Sequence, residues 1–149
     1  MVMGFQLTID CAEPDNLVPF WAAALDYRPQ DPPPGHATWR DYYLSVGVPA
    51  EELGDGPCVD RIEDPAGNGP SIWFQIVPEK KTIKNRLHLD VMVGGGRSVP
   101  VTERRPRVDA KVAQLVDLGA TVLYRHDGDT VGHYGVTMAD PEGNEFCVA

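Results

Sequence analysis

Asp140-Pro141-Glu142-Gly143-Asn144, followed by Glu145-Phe146-Cys147-Val148-Ala149, is the stretch on which the fold turns, because it has a counterpart. Asp64-Pro65-Ala66-Gly67-Asn68 repeats the same turn in the first half of the chain, and it also precedes a strand, Ser71 to Val77. Aspartate, proline and glycine at such spacing specify a turn through side-chain acceptance, a fixed φ and access to positive φ respectively. In each final strand the side chains alternate. Ile72, Phe74 and Ile76 oppose Trp73, Gln75 and Val77, and Phe146 and Val148 oppose Glu145, Cys147 and Ala149. Period two is the signature of a strand with two unlike faces.

Working outward, each half opens on a strand followed by a helix. Phe5, Leu7 and Ile9 alternate with Gln6, Thr8 and Asp10. Glu13-Pro14 then begins a helix whose stripe is Leu17, Phe20, Trp21, Ala24 and Leu25. In the second half Arg86 to Val93 is the strand, with Leu87, Leu89 and Val91 opposite Arg86, His88 and Asp90. Gly94-Gly95-Gly96 to Pro106 is a loop, and a helix follows with Val108, Val112, Leu115 and Val116 on one face and Gly119 at its end. Trp39 to Val48 is expected to hold one or two strands and Cys58 to Ile62 another. Thr121 to Arg125 and His133 to Ala139 read as strands. Strand, helix and strands thus occur twice, which an internal duplication explains most simply. The expectation is one α+β domain over 1–149, made of a first module 1–78, a connection 79–84 and a second module 85–149.

Bulk properties narrow the function. The chain has 149 residues, 42% hydrophobic and 23% charged, as in a soluble globular domain with a real core. Its formal charge is −9, which disfavours nucleic acid, because phosphate binding needs a basic face. No apolar run approaches the ~20 residues of a membrane helix. The start, Met1 to Phe5, has no basic region followed by an apolar core, so an export signal is not expected. The three cysteines, Cys11, Cys58 and Cys147, form no Cys-x-x-Cys pair and are odd in number, so a disulfide framework is not expected and a reducing cytoplasm is.

If the apolar faces meet the helices, Phe5, Leu7, Ile9, Ile72, Phe74, Ile76, Leu87, Leu89, Val91, Phe146 and Val148 lie on the helix side. The opposite face collects Gln6, Thr8, Asp10, Trp73, Gln75, His88, Asp90, Glu145 and Cys147. Glutamine, histidine, cysteine and tryptophan together suit the lining of a cleft. Gln6-Leu7-Thr8-Ile9-Asp10 with Phe20-Trp21-Ala22-Ala23-Ala24-Leu25, Lys84 to Val91, Leu118-Gly119-Ala120 and the closing turn resemble the vicinal oxygen chelate superfamily, in particular small glyoxalase-like and bleomycin-resistance-type proteins. The resemblance implies two βαβββ-type modules forming a cup-shaped mixed sheet. In metal-dependent members a divalent ion is held by four side chains from the first and last strand of each module. Those positions fall at Gln6, Gln75, His88 and Cys147 here. Hard ions want carboxylates, and both closing-strand carboxylates are replaced. No metal is therefore favoured, and zinc on His88 and Cys147 is the choice if one binds, on ligand softness.

Taken singly, His88 is a candidate ligand, a general base or a polar cavity residue. Asp90 shares its face, but about 6–7 Å of strand is expected to keep the two out of direct contact. Cys147 reads as a small buried hydrophobe rather than a nucleophile. Trp73 either stacks on a ligand or fills the cup, and Gln6 and Gln75 are expected to bond to each other, to His88 or to ligand. Glu145 and Asp10 are expected to be exposed. Arg104-Arg105-Pro106-Arg107 reads as a solvated loop before the second helix, and His36, His126 and His133 have no ligand-like spacing. The glycine triplet lacks the ending of a phosphate loop. The function expected is binding of a small organic molecule without a catalytic metal, as in sequestration or resistance. The alternative is a lyase or isomerase acting on an oxygenated metabolite, with His88 on a metal or shuttling a proton. A homodimer is expected, because open sheets leave edges to cover.

Overall fold

A computed structural model describes residues 3–128 and 133–149; Met1 and Val2, part of the stretch read for an export signal, lie outside the described residues. The chain divides into two compact units. One is Met1–Ala22 with Asp26–Pro78, and the other is Ala23–Leu25 with Glu79–Ala149. The fold is α+β, and the two sheets share one plan.

The first unit contains β1 (Leu7–Cys11), most of α1 (Pro14–Leu25), β2 (Arg28–Pro29), α2 (Trp39–Ser45), a 3-10 turn (Ala50–Glu52), β3 (Arg61–Glu63) and β4 (Ile72–Ile76). The strand order is β1-β4-β3-β2, with β1 parallel to β4 and the other pairs antiparallel. The second unit contains β5 (Asp90–Val91), α3 (Val101–Asp117), β6 (Thr121–Gly128), β7 (His133–Ala139) and β8 (Glu145–Val148). Its order is β5-β8-β7-β6, again with first and last strands parallel and the rest antiparallel. A parallel first–last pair needs a crossover, and the helix supplies it in each unit.

The twin turns are built alike. Asp64 accepts from the amides of Ala66 (2.8 Å), Asn68 (2.9 Å) and Gly69 (2.9 Å). Asp140, only 3% exposed, accepts from the amides of Glu142 and Asn144, both at 2.9 Å, and from the Asn144 side chain. Gly67 and Gly143 sit at φ 71° and 87°, where a Cβ is strained.

The core follows the alternation in part. Ile72, Phe74, Val91, Phe146 and Val148 are buried, as are Leu17, Phe20, Trp21 and Ala24 on α1 and Val108, Val112 and Leu115 on α3. In the second unit α3 packs across β6, β7 and β8. Phe5 (74% exposed), Leu87 (85%) and Ile76 (66%) depart from the expected helix side. Phe5 and Leu87 precede the first paired residues, Leu7 and Asp90, and Ile76 is the last residue of β4, so all three stand at or beyond the ends of short strands.

Two further expectations are corrected. Trp39 to Val48 is not strand: α2 begins there because Thr38 and Asp41 form a reciprocal cap, the Thr38 hydroxyl accepting from the Asp41 amide and the Asp41 carboxylate from the Thr38 amide, both at 3.0 Å. The β-prone aromatics Tyr42 and Tyr43 pack edge-to-face or tilted with Trp39 on that helix. Arg104-Arg105-Pro106-Arg107 is not a loop but lies within the first two turns of α3, Pro106 standing inside the helix, and Arg104 is buried with its Nε donating to the Val99 carbonyl at 2.9 Å. No helix among the described residues is long and apolar enough to cross a membrane.

Candidate functional site

The long connection 30–60, which includes α2 and the 3-10 turn, contributes one side of a cavity of about 460 Å³ in the first module. The β4 residues Trp73, Phe74 and Gln75 line it together with Tyr43, Cys58 and Asp60, and Glu13, Asp15 and Glu52 add carboxylates. No lysine or arginine is among its lining residues.

Asp60 organises this cavity. Its Oδ2 accepts from the Tyr43 hydroxyl at 2.6 Å and from the Trp73 indole N–H at 2.9 Å, which fixes both rings. Its Oδ1 lies 3.4 Å from Arg61 Nε as an ion pair but takes no hydrogen bond, and that nitrogen is equally unsatisfied. The Arg61 guanidinium stacks over the Trp39 ring (4.7 Å) and the Trp73 ring (5.2 Å). Burial, reinforced by the hydrogen bond to Asp60, pushes the Tyr43 phenol up to about 12. Burial likewise raises Cys58 above its ordinary value. Both groups are therefore neutral near pH 7, Tyr43 as a hydrogen-bond donor and Cys58 as a thiol.

The second module gathers a different set. Cys147, half-buried on β8, pairs with Asp90 in the parallel register, and its amide donates to the Leu89 carbonyl at 2.9 Å. His88 Nε2 lies 3.2 Å from Asp90 Oδ1. The expected separation of that pair is thus corrected. The spacing of the strand backbone does not carry over because β5 is only Asp90–Val91, and His88 precedes it, outside the pleated ladder. One ligand atom each of His88, Asp90 and Cys147 lies within 4.8 Å of the others. Behind Cys147, Thr137 Oγ1 is 3.4 Å from Sγ, and His126 Nε2 is 2.8 Å from that same oxygen. Glu145, half-buried rather than exposed, is held below the ordinary carboxylate range chiefly by its hydrogen bond to Lys84.

Of the residues singled out in the sequence, Trp73 and Gln75 come together in the cavity, and His88 and Cys147 come together in the second module. Gln6 and Gln75 are not brought together. The parallel β1–β4 register sets Gln75 beside Asp10, whereas Gln6 Oε1 accepts from Ser71 at 3.5 Å at the other end of the pair. Tyr43 is missed by the sequence because it lies on α2, where strand is expected, and Asp60 and Arg61 because their contacts with it are tertiary. The sequence places Asp90 on the cleft face beside His88 and gives His126 no ligand-like spacing; the β6–β7 pairing sets His126 near Thr137, and the Thr137–Cys147 register carries it on to the thiol.

The chemistry of the donors bears on the divalent ion that the resemblance implies. Carboxylates for a hard ion are missing at Gln75 and Cys147, and Glu145 is engaged by Lys84. Imidazole, carboxylate and thiol together instead fit a borderline ion such as zinc.

The sequence profile of a family described as a glyoxalase-like domain matches residues 6–149. No curated protein matches. Among solved structures, a hypothetical protein from S. aureus superposes with a TM-score of 0.60 at 14% identity, covering 99% of this chain and 93% of that one. A glyoxalase/bleomycin resistance protein/dioxygenase family enzyme from Burkholderia phytofirmans gives 0.54 at 15% identity, covering 96% and 94%. A mutant of the fosfomycin resistance protein FosX from Listeria monocytogenes, solved with Mn(II) and 1S,2S-dihydroxypropylphosphonic acid, gives 0.57 at 9% identity, covering 99% and 90%.

Proposed function

The chain belongs to the glyoxalase-like domain family of the vicinal oxygen chelate superfamily, and from that premise we propose that it is a cytoplasmic protein that binds a small aromatic or amphipathic molecule without a catalytic metal, as sequestering and resistance-type members do. The observation that carries the reading is the first-module cavity of about 460 Å³, in which Asp60 holds Trp73 and Tyr43 in place. That volume suits a drug-sized or metabolite-sized ligand. Trp73 offers a stacking surface, and Gln75 and Tyr43 offer hydrogen bonds. The lining carries the carboxylates of Glu13, Asp15, Glu52 and Asp60 and neither lysine nor arginine, with Arg61 paired to Asp60 and stacked on Trp73, which favours a neutral ligand over an anionic one.

The test is a thermal-shift screen of small metabolites and antibiotics, run with and without EDTA on wild type and Trp73→Ala. Hits that survive EDTA and vanish in Trp73→Ala support the proposal. A second reading, an enzyme of the lyase or isomerase type, is favoured by the His88, Asp90 and Cys147 cluster. Hits that vanish with EDTA, together with a His88→Ala variant that loses metal and a measured turnover, would establish it instead.

The proposal includes a homodimer, since β1 and β5 are sheet-edge strands flanked by exposed Phe5 and Leu87. Light scattering at the 16.3 kDa chain mass across a wide concentration range would overturn that part.

A further inference from the structure

We propose that the second module by itself holds a zinc-class divalent ion through His88, Asp90 and Cys147. This stands apart from the cavity reading, and it differs from the four-strand ligand set that the resemblance implies. Asp90, which occupies none of those four positions, supplies the carboxylate that Gln75 and Cys147 lack, and no residue of the first module is needed.

Geometry supports the assignment. Zinc bonds of about 2.0–2.3 Å set in a tetrahedron separate nitrogen and oxygen ligands by roughly 3.3 Å and sulfur from either by roughly 3.5 Å. His88 Nε2 and Asp90 Oδ1 are already 3.2 Å apart, and all three ligand atoms lie within 4.8 Å of one another. Closing on an ion therefore asks for shifts of up to about 1.3 Å, well within side-chain rotation for the exposed His88 and Asp90. Cys147 is the ligand that must be fixed, and it is. Its backbone is bonded to Leu89, and its sulfur is met by Thr137.

The outer contacts also have the right polarity. A thiolate at Cys147 accepts from the Thr137 hydroxyl, and the Thr137 oxygen then accepts from His126 Nε2–H, a chain of 3.4 Å and 2.8 Å contacts ending in a histidine. Thr137 is accordingly a positioning residue. Binding displaces the thiol proton to solvent, one proton per ion, with His88 neutral. Three protein ligands, one of them thiolate, select a borderline ion over manganese, which prefers oxygen.

Cobalt(II) is the probe, because a thiolate bound to it absorbs by charge transfer. Titrating the full chain should give one equivalent of cobalt with that band, and zinc should compete it away. Cys147→Ser should abolish the band, and Asp90→Asn or His88→Ala should weaken cobalt binding at least tenfold. Gln6→Ala and Gln75→Ala should leave affinity unchanged, and a Cys58→Ser control should keep the band. Thr137→Val should shift the position of the band and weaken binding, an effect that simple loss of fold would not mimic. Circular dichroism melts check each variant, and the exposed sites His88 and Asp90 keep the test open should Cys147→Ser fold poorly. Absence of the band in wild type, its survival in Cys147→Ser, or equal weakening by Gln6→Ala and Asp90→Asn would each overturn the proposal.

Discussion

The two modules share a frame and differ in what they hang on it. Both order their strands first–last–third–second, and both close on an aspartate that collects the amides of its own turn. Between the second and third strands they part. The first module inserts the connection 30–60, with α2, a 3-10 turn and the aromatic set Trp39, Tyr42 and Tyr43, and so acquires a walled cavity. In the second module β6 and β7 pair directly as long neighbours, and the sheet carries the half-buried His126, Thr137 and Cys147 instead. A duplicated frame leaves each copy free to build its own chemistry, because the turns and parallel pair that define it lie away from the variable connection.

The comparison can be broken most severely at Trp39. It is buried, its indole donates to the Gln30 carbonyl at 2.7 Å, and Arg61 stacks on it. Trp39→Ala should lower stability by about 3–5 kcal/mol in urea denaturation and abolish ligand binding in the first module, while leaving cobalt binding in the second unchanged. Equal damage to both would mean that the modules do not specialise.

The twin turns sharpen the comparison. Asp140 is buried, its carboxylate bonded by the Glu142 amide and by the amide and side chain of Asn144, so Asp140→Ala should cost about 2–3 kcal/mol. Asp64→Ala, at a more exposed site, should cost clearly less. The amide of Ala66 first, then those of Gly69 and Asn68, hold the Asp64 carboxyl below its ordinary value of 3.8. Its contribution is present above that value and is lost as pH falls through the lowered one. Matching urea midpoints for the two variants would contradict this ranking.

How much of this was legible in the sequence divides along the same line. The duplication, the parity of Ile72, Phe74, Phe146 and Val148, and the pairing of Trp73 with Gln75 on one face could be read because period-two alternation and Asp-Pro-x-Gly-Asn turns are local signals. The Thr38–Asp41 cap was equally local, yet it was outweighed by the β-propensity of Tyr42 and Tyr43. Asp60 could not be found, since its meeting with Tyr43 and Trp73 is tertiary. Nor could the Gln6–Gln75 mismatch, which depends on the β1–β4 register.

Tyr43 gives a smaller effect. Burial and Asp60 favour the neutral phenol, so its contribution is complete below the ordinary 10.0 and is lost as pH rises toward about 12. Thermal melts across that window should fall for wild type and flatten for Tyr43→Phe, and an unchanged slope would show that Asp60 does not hold the ring.

The central claim, that the first module's cavity takes the ligand, is tested most directly in the indole region of a proton–nitrogen NMR spectrum. The chain has three tryptophans, and Trp73→Phe assigns one of the three signals. A ligand found by thermal shift should move the Trp73 signal, whose N–H is bound to Asp60, and leave that of the buried Trp21 in place, with or without EDTA. A bound ligand that leaves the Trp73 signal unmoved, or moves it only when a metal is present, would contradict the account.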